Sequence, residues 1–400
     1  MSGEDRDRSS KPLGRPLSLA ELLAGARVGG RLAVDTEFMG EGRYRTLLCL
    51  VQLAVPADAV DGEPTLVVDP LAEDFDGGEL ASLLADPAIE IVVHAGRQDI
   101  ALLRRRLATE VTNVFDTQLS AGFAGLGAQS SYDSLLSDVL GLRVAKSASF
   151  TRWDARPLSR EQMDYAREDV VHLLELADAI EDRLGELGRI DWAREECAPL
   201  AASSDERDPE TIFGRLPRVN QLNPSARPVA RELVRWRERT AERQDRPVQS
   251  VLGDATLIEI AKRKPASRGE LERIRGAGPV AQGRRADEVI ELIDSARKLP
   301  PETTEPGPPR TPPKPDDAPI VALAEALIRS RAREAGLAYE LLAAKADLQA
   351  IVATSRAGAP EPDVRTLRGW RRELVGEELL SLLDGKLSLS VETEGRRKTL

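Results

Sequence analysis

The sequence predicts an α/β domain on a mixed sheet, followed by two small all-helical domains. Three observations carry that reading. Up to about residue 200, short apolar segments bounded by turn residues alternate with helix-period patterns. From 223 to 300 every segment has the amphipathic helical period. Residues 299–319 then hold nine prolines in 21 positions, which separates a further helical stretch from everything before it.

The elements follow in order. Residues 1–16, beginning MSGEDRDRSSKP, are polar and read as a disordered tail without the apolar core of a secretory signal. The first domain spans 17–200. RLAVDTEF, LLCLVQLAV, TLVVD and IEIVVHA are its predicted strands. Short connections join the first three and helices flank the later ones, so the sheet is mixed. GGELASLLA, RQDIALLRRRL and SYDSLLSDVLGL are predicted helices, and SREQMDYAREDVVHLLELADAIEDRL reads as one more. Residues 201–222 are polar and irregular, and are expected to be a connector. The second domain, 223–300, divides into ARPVARELVRWRERTAERQ, DATLIEIAKR, SRGELERIRG and GRRADEVIELIDSARK, with Pro or Gly in the turns between. A linker at 301–319, a helical domain at 320–385 and a polar tail at 386–400 complete the chain. The first domain has its own strands and acids, so it is expected to fold without 223–400.

Composition narrows the class. Four hundred residues exceed one ordinary core, and 41% apolar with 31% charged residues suits a soluble globular protein. No apolar stretch is long enough to span a bilayer, and a cytoplasmic location is expected. Cys49 and Cys197 are the only cysteines, with no CxxC, which argues against a disulfide framework or a zinc site. Net charge is −11, yet residues 223–300 carry 17 Lys and Arg against 12 Asp and Glu. That segment is therefore +5 and the remainder −16, as suits a metal-binding acidic unit joined to a polyanion-binding one.

LAVDTEFMG sets Asp35 and Glu37 at i and i+2, on one face of a strand, where two like charges repel and are costly to bury. A strand end dipping into solvent explains the pair, and so does half of a metal site. IVVHAGRQDI places Asp99 in the first turn of a helix, either as an acid favoured by the dipole or as a ligand. MDYAREDVVHLLEL puts Tyr165 and Asp169 one turn apart on a helix face, a core-edge aromatic beside a solvated acid or a functional pair. Four carboxylates with a tyrosine suit hard divalent ions and phosphodiester hydrolysis.

VDTEF, HAGRQD and YAREDV resemble the three exonuclease motifs of the ribonuclease D family, the tyrosine subtype of the acidic-residue 3′–5′ exonucleases. SLLSDVLGLRVAKSASFTRWDARPLSREQMDYA resembles the family's approach to its last motif, with Lys146-Ser147, Trp153 and Arg156-Pro157-Leu158. Arg152 departs from it, since relatives commonly have Asp before the Trp. Residues 223–300 resemble the HRDC nucleic-acid-binding module, and GWRREL at 369–374 resembles the family's C-terminal domain. The resemblance implies a ribonuclease H-like fold, with Asp35, Glu37, Asp99 and Asp169 ligating two divalent ions, Mg²⁺ or Mn²⁺. It implies that Tyr165 positions the attacking water, and that the substrate is RNA with a free 3′ end, tRNA precursors above all. A DNA exonuclease and a catalytically lapsed RNA-binding protein are the alternatives. The absence of GxxxxGK[ST] argues against ATP-driven activity. His94 reads as structural, and His172 as facing away from Asp169. Lys146 and Arg156 read equally as phosphate contacts or salt-bridge residues, and Gln52 as pairing with backbone or with the substrate strand.

Overall fold

The computed structural model describes residues 15–143, 152–302, 314–393 and 396–399. Helix α1 (Leu19–Gly29) opens on a capping box between Ser18 and Glu21 and leads into strand β1 (Arg31–Met39). β2 (Leu47–Ala54) and β3 (Thr65–Val68) follow, then α2 (Gly78–Leu84), β4 (Glu90–Val93), α3 (Arg97–Leu107) and β5 (Val114–Asp116). The strand order is β3-β2-β1-β4-β5. β1 is antiparallel to β2 and parallel to β4, so the sheet is mixed as expected. β5 has only three residues and no alternating pattern, and sequence reasoning did not find it.

The two faces of β1 and β2 pack differently. Leu32, Val34, Val51 and Leu53 join one apolar cluster with α1, α2 and α3. Ala33 and Ala54 join another, which continues through α4 (Thr117–Phe123), α7 (Leu173–Glu186) and α8 (Ile190–Cys197). Between α4 and α7 lie α5 (Tyr132–Leu135), which continues as a π-helical turn to Leu140, and α6 (Arg160–Val171). The stretch expected as one helix from 159 to 184 is two. His172, at φ −110° and ψ 6°, leaves helical geometry between α6 and α7.

Residues 201–222 are more than a connector. They contain α9 (Pro209–Arg215), and Phe213, Leu216, Val219 and Leu222 pack into the core of the helical unit that follows. That unit comprises α10 (Arg227–Arg243), α11 (Val248–Val251), α12 (Asp254–Arg263), α13 (Arg268–Glu272) and α14 (Gly283–Ala296). Its edge meets the loop between β1 and β2. Arg43 pairs with Asp245 at 2.9 Å, Arg45 with Glu242 at 3.4 Å, and the Tyr44 ring packs on the same core.

The last helical unit holds α15 (Ala318–Ala335), α16 (Tyr339–Leu342), α17 (Lys345–Ala357), α18 (Gly369–Arg371) and α19 (Glu377–Leu383). Its Val321, Leu327, Ile351, Trp370 and Leu379 share one buried cluster with Phe123, Leu173, Leu176 and Ile180 of the sheet domain. Trp370 stacks on Trp192 with ring centroids 5.0 Å apart and meets Phe123 edge-on at 5.1 Å. The expectation that residues 1–222 form a free-standing fold is revised, because removing this unit uncovers that shared core. A hairpin of β6 (Ser390–Thr393) and β7 (Arg396–Thr399) stands where a polar tail was expected. Most of the 301–319 linker lies outside the described residues, as do Lys146 and Ser147.

Candidate active site

Strand alternation places Asp35 and Glu37 on the face that carries Ala33, towards α6 and α7. The methyl groups of Ala33 and Ala54, paired across the strands, leave room for these helices to approach the sheet. α6 starts at a capping box between Ser159 and Gln162 and carries both Tyr165 and Asp169. Asp99 arrives from the first turn of α3 and is 7% exposed. Thr36, one residue from each strand acid, donates its hydroxyl to the Asp99 carboxylate.

All four acids hold their protons more tightly than ordinary carboxylates, and the charges of Asp99 and Asp169 reach both strand acids. Burial is the main cause that raises Asp35 well above the ordinary carboxylate range, followed by the charges of Asp99, Asp169 and Glu37. Glu37 is pushed up to about 8, by burial first and then by Asp169 and Asp99. Asp169 rises to about 7 through burial, Asp133 and Glu168. Asp99 is raised by burial, although its bond from Thr36 works in the opposite direction. The side-chain charges that act most strongly on the quartet are all negative. Among the described residues, no three His, Cys, Asp or Glu side chains already stand close enough to hold an ion. The donor set is nevertheless all oxygen, partly buried and short of positive charge, which fits a hard divalent cation.

Tyr165 packs beside Trp153, with centroids 5.9 Å apart, over Cys49, Leu50 and Ala166. Its hydroxyl is pushed up to about 12 by burial and then by Asp169, Glu37 and Asp35, so it keeps its proton at neutral pH. The family model described as a 3′-5′ exonuclease matches residues 16–185, and the HRDC domain model matches 226–293. A ribonuclease D from Granulibacter bethesdensis is 37% identical, over 98% of this chain and 98% of its own. This chain belongs to the ribonuclease D family. Another ribonuclease D, from Gluconacetobacter diazotrophicus, is 38% identical over 90% of this chain and 89% of its own. The crystal structure of Escherichia coli RNase D, described as an exoribonuclease involved in structured RNA processing, superposes with a TM-score of 0.77. It is 27% identical, and the match covers 92% of this chain and 96% of that one.

As a member of that family the chain is a 3′–5′ exoribonuclease, and its catalytic fold is one that uses divalent metals. Two residues that support the acids escaped sequence reasoning. Asp116, 1% exposed, accepts the backbone N–H groups of Ala95 and Gly96, which fixes the turn that launches α3 and Asp99. The same carboxylate caps α4 through Gln118 and Leu119. The Asp-Thr pair at 116–117 was visible, but nothing in its spacing linked it to HAGRQD. Thr36 was assigned only to a strand face.

Several open readings resolve. Arg156 pairs with Asp69 and donates to the carbonyls of Trp153 and Cys49, so its side chain ties the segment before α6 to β2 and β3. Arg152 is largely exposed and pairs with its neighbour Asp154 at 3.0 Å. His94 shares a 2.9 Å hydrogen bond with Thr117, and burial lowers its proton affinity, which supports the structural reading. His172 sits at the break after α6, with Nδ1 3.4 Å from Glu175. Gln52 is fully buried, directly across the strands from Asp35.

Proposed function

We propose that this protein shortens RNA from its 3′ end by hydrolysing the terminal phosphodiester, with tRNA precursors as its substrates. Asp35, Glu37, Asp99 and Asp169 hold two divalent ions, Mg²⁺ or Mn²⁺. Two such ions about 4 Å apart supply Lewis-acid stabilisation to the attacking and leaving oxygens. The observation that carries the reading is the quartet itself: all four acids have raised proton affinity, Asp99 and Asp169 raise Asp35 and Glu37, and no cationic side chain is foremost among their neighbours. Tyr165 keeps its proton, so its hydroxyl orients the attacking water and does not act as a base. Thr36 and Asp116 hold Asp99 and its helix in register with the strand acids.

The helical unit from α9 to α14 grips the body of the RNA in this reading. Exposed Arg239, Arg246, Lys262, Arg273 and Arg275 form no ion pair among the described residues, and so remain available to phosphates. Much of the remaining basic excess is spent internally. Arg237 is buried against Asp254, and Arg227 is buried with its guanidinium over the Phe213 ring. The test compares matched RNA and DNA oligonucleotides, and a tRNA carrying a 3′ extension, in Mg²⁺, Mn²⁺ and chelator. Stepwise loss of 3′ nucleotides from RNA only when a divalent ion is present is the expected result. Equal or faster attack on the DNA strand would move the substrate assignment, and activity in chelator would remove the metal assignment.

A further inference from the structure

Gln52 occupies the middle of β2 with no exposed surface, and among the described residues neither its side-chain nitrogen nor its oxygen has a hydrogen-bond partner. A buried amide with both polar atoms unpaired is costly, because it has given up water and gained nothing. Its position explains why it is there. Gln52 is the cross-strand partner of Asp35 in the antiparallel β1–β2 pair, so the two side chains stand on the same face. The packing agrees with that placement. Leu50 and Ala54, two residues either side of Gln52, pack on the α6 and α7 face, whereas Val51 and Leu53 pack on the opposite one. Val67 flanks it on β3.

The chemistry of the side chain narrows its role. A Lys or Arg at this point would satisfy Asp35, but it would also supply the positive charge that a cation is to bring. An aliphatic residue would leave the outer oxygen of Asp35 without a donor. An amide offers N–H groups with no net charge, so it can hold an ionised carboxylate while that carboxylate still attracts a cation. We propose that Gln52 is a positioning residue for Asp35: its Nε2 donates to the carboxylate oxygen turned away from the cation, and fixes the other oxygen for ligation. This rests on the assignment of Asp35 and its three companions as cation ligands. The unpaired amide then finds its partner in the cation-loaded form, and its cost is carried by the metal-free one.

The test uses the full-length, RNA-free chain with Mn²⁺ as the probe, and takes direct binding and metal-free stability as separate readouts. Gln52→Leu and the unbranched Gln52→Met remove the amide with little change of volume. In chelator both should unfold at the same urea concentration as the parent or a higher one, since a buried unpaired amide has been replaced by an apolar group. Their Mn²⁺ affinity, measured by calorimetry or by the free-ion electron paramagnetic resonance signal, should fall about 10- to 100-fold, the usual loss when a partner of a metal ligand is removed. Saturating Mn²⁺ should recover most of the turnover. Parent-like Mn²⁺ affinity in both variants would overturn the inference while leaving the acid site standing. Collapse of both variants in chelator would also overturn it, making Gln52 a structural strut. If the parent itself bound no Mn²⁺, or Asp35→Asn bound it as tightly as the parent, the acid-site reading would fall first.

Discussion

Replacing Asp35 or Asp99 with Asn removes one negative charge from the quartet with almost no change of shape. Hydrolysis should then fall by a hundredfold or more, on the order seen when a group that stabilises transition-state charge is deleted. RNA affinity should largely survive, because the exposed arginines of the helical unit are untouched. A loss of only a few fold in folded variants would count against the two-ion reading. Tyr165→Phe keeps the ring beside Trp153 and deletes only the hydroxyl. It should lower turnover by roughly 10²-fold, the lower end for a group acting on the reacting water, with little change in KM. Unchanged turnover would make Tyr165 a packing residue. The raised Glu37 and Asp169 also set a pH dependence. Their folded values, about 8 and about 7, lie above the ordinary carboxylate range, so the metal-free fold binds more protons than the unfolded chain between those limits. The stability they contribute is complete below that range and is lost as pH rises through 7 to 8. Thermal unfolding in chelator should thus move to lower temperature between pH 5.5 and 8.5, by less in Glu37→Gln. Mn²⁺ affinity should move the opposite way, rising with pH as bound protons are displaced. A pH-independent unfolding temperature would show that the acids titrate as exposed groups do.

The elements that carry the acids depend on local devices of unequal visibility. Asp116 is the junction of two of them, since one carboxylate serves the turn before α3 and the start of α4. Asp116→Ala would strand four backbone N–H groups and should cost roughly 2–3 kcal/mol, combining a lost cap with buried unpaired donors. Activity should drop further than stability predicts, because Asp99 rides on the helix that the turn launches. An unfolding temperature equal to the parent's would refute that dual role. The sequence made the β1–β2 hairpin, β4, α3 and the helices of 227–296 legible, because each has a clear period and clear stop signals. The same pattern put Asp35, Glu37, Asp99, Tyr165 and Asp169 on strands and helices but left their roles open; the resemblance of VDTEF, HAGRQD and YAREDV to the exonuclease motifs is what singled them out. The break at His172 was not, since the apolar period runs through it without Pro or Gly. β5 was too short to show a period, and Asp116 acts on residues about twenty positions earlier.

Across the whole molecule, the apolar cluster shared by the sheet domain and the last helical unit decides what can be removed. Trp370, 3% exposed, is held between Phe123 and Trp192, and the neighbouring Arg371 is buried against Glu196. Trp370→Ala should cost about 3–5 kcal/mol, the usual range for deleting a buried aromatic. Calorimetry should show the nuclease and the last unit unfolding in one transition at a lower temperature. Two separate transitions, with the nuclease unmoved, would mean that the shared packing carries no cooperativity. The α9–α14 unit has a core of its own and touches the nuclease at the β1–β2 loop. Excising 204–302 and rejoining the ends should weaken binding of tRNA-sized RNA and flatten its salt dependence, by about one unit of slope for each phosphate that is no longer neutralised. An unaltered salt slope would place the grip on the nuclease face. That same loop sets a further property. Tyr44 lies under the Arg207 guanidinium, 5.3 Å from ring centroid to Cζ, and its backbone N–H is held by Asp245. The unit proposed to grip RNA is thereby fastened to the hairpin whose first strand carries Asp35 and Glu37, so in that reading the span from anchor to scissile bond would act as a ruler. A tethered strand is presented to the acids at high effective concentration only while it is long enough to reach both places. Successive cuts on one molecule should therefore give way to independent encounters once the RNA is shorter than that span, so that digestion stalls at a fixed length, and Tyr44→Ala should blur the stall.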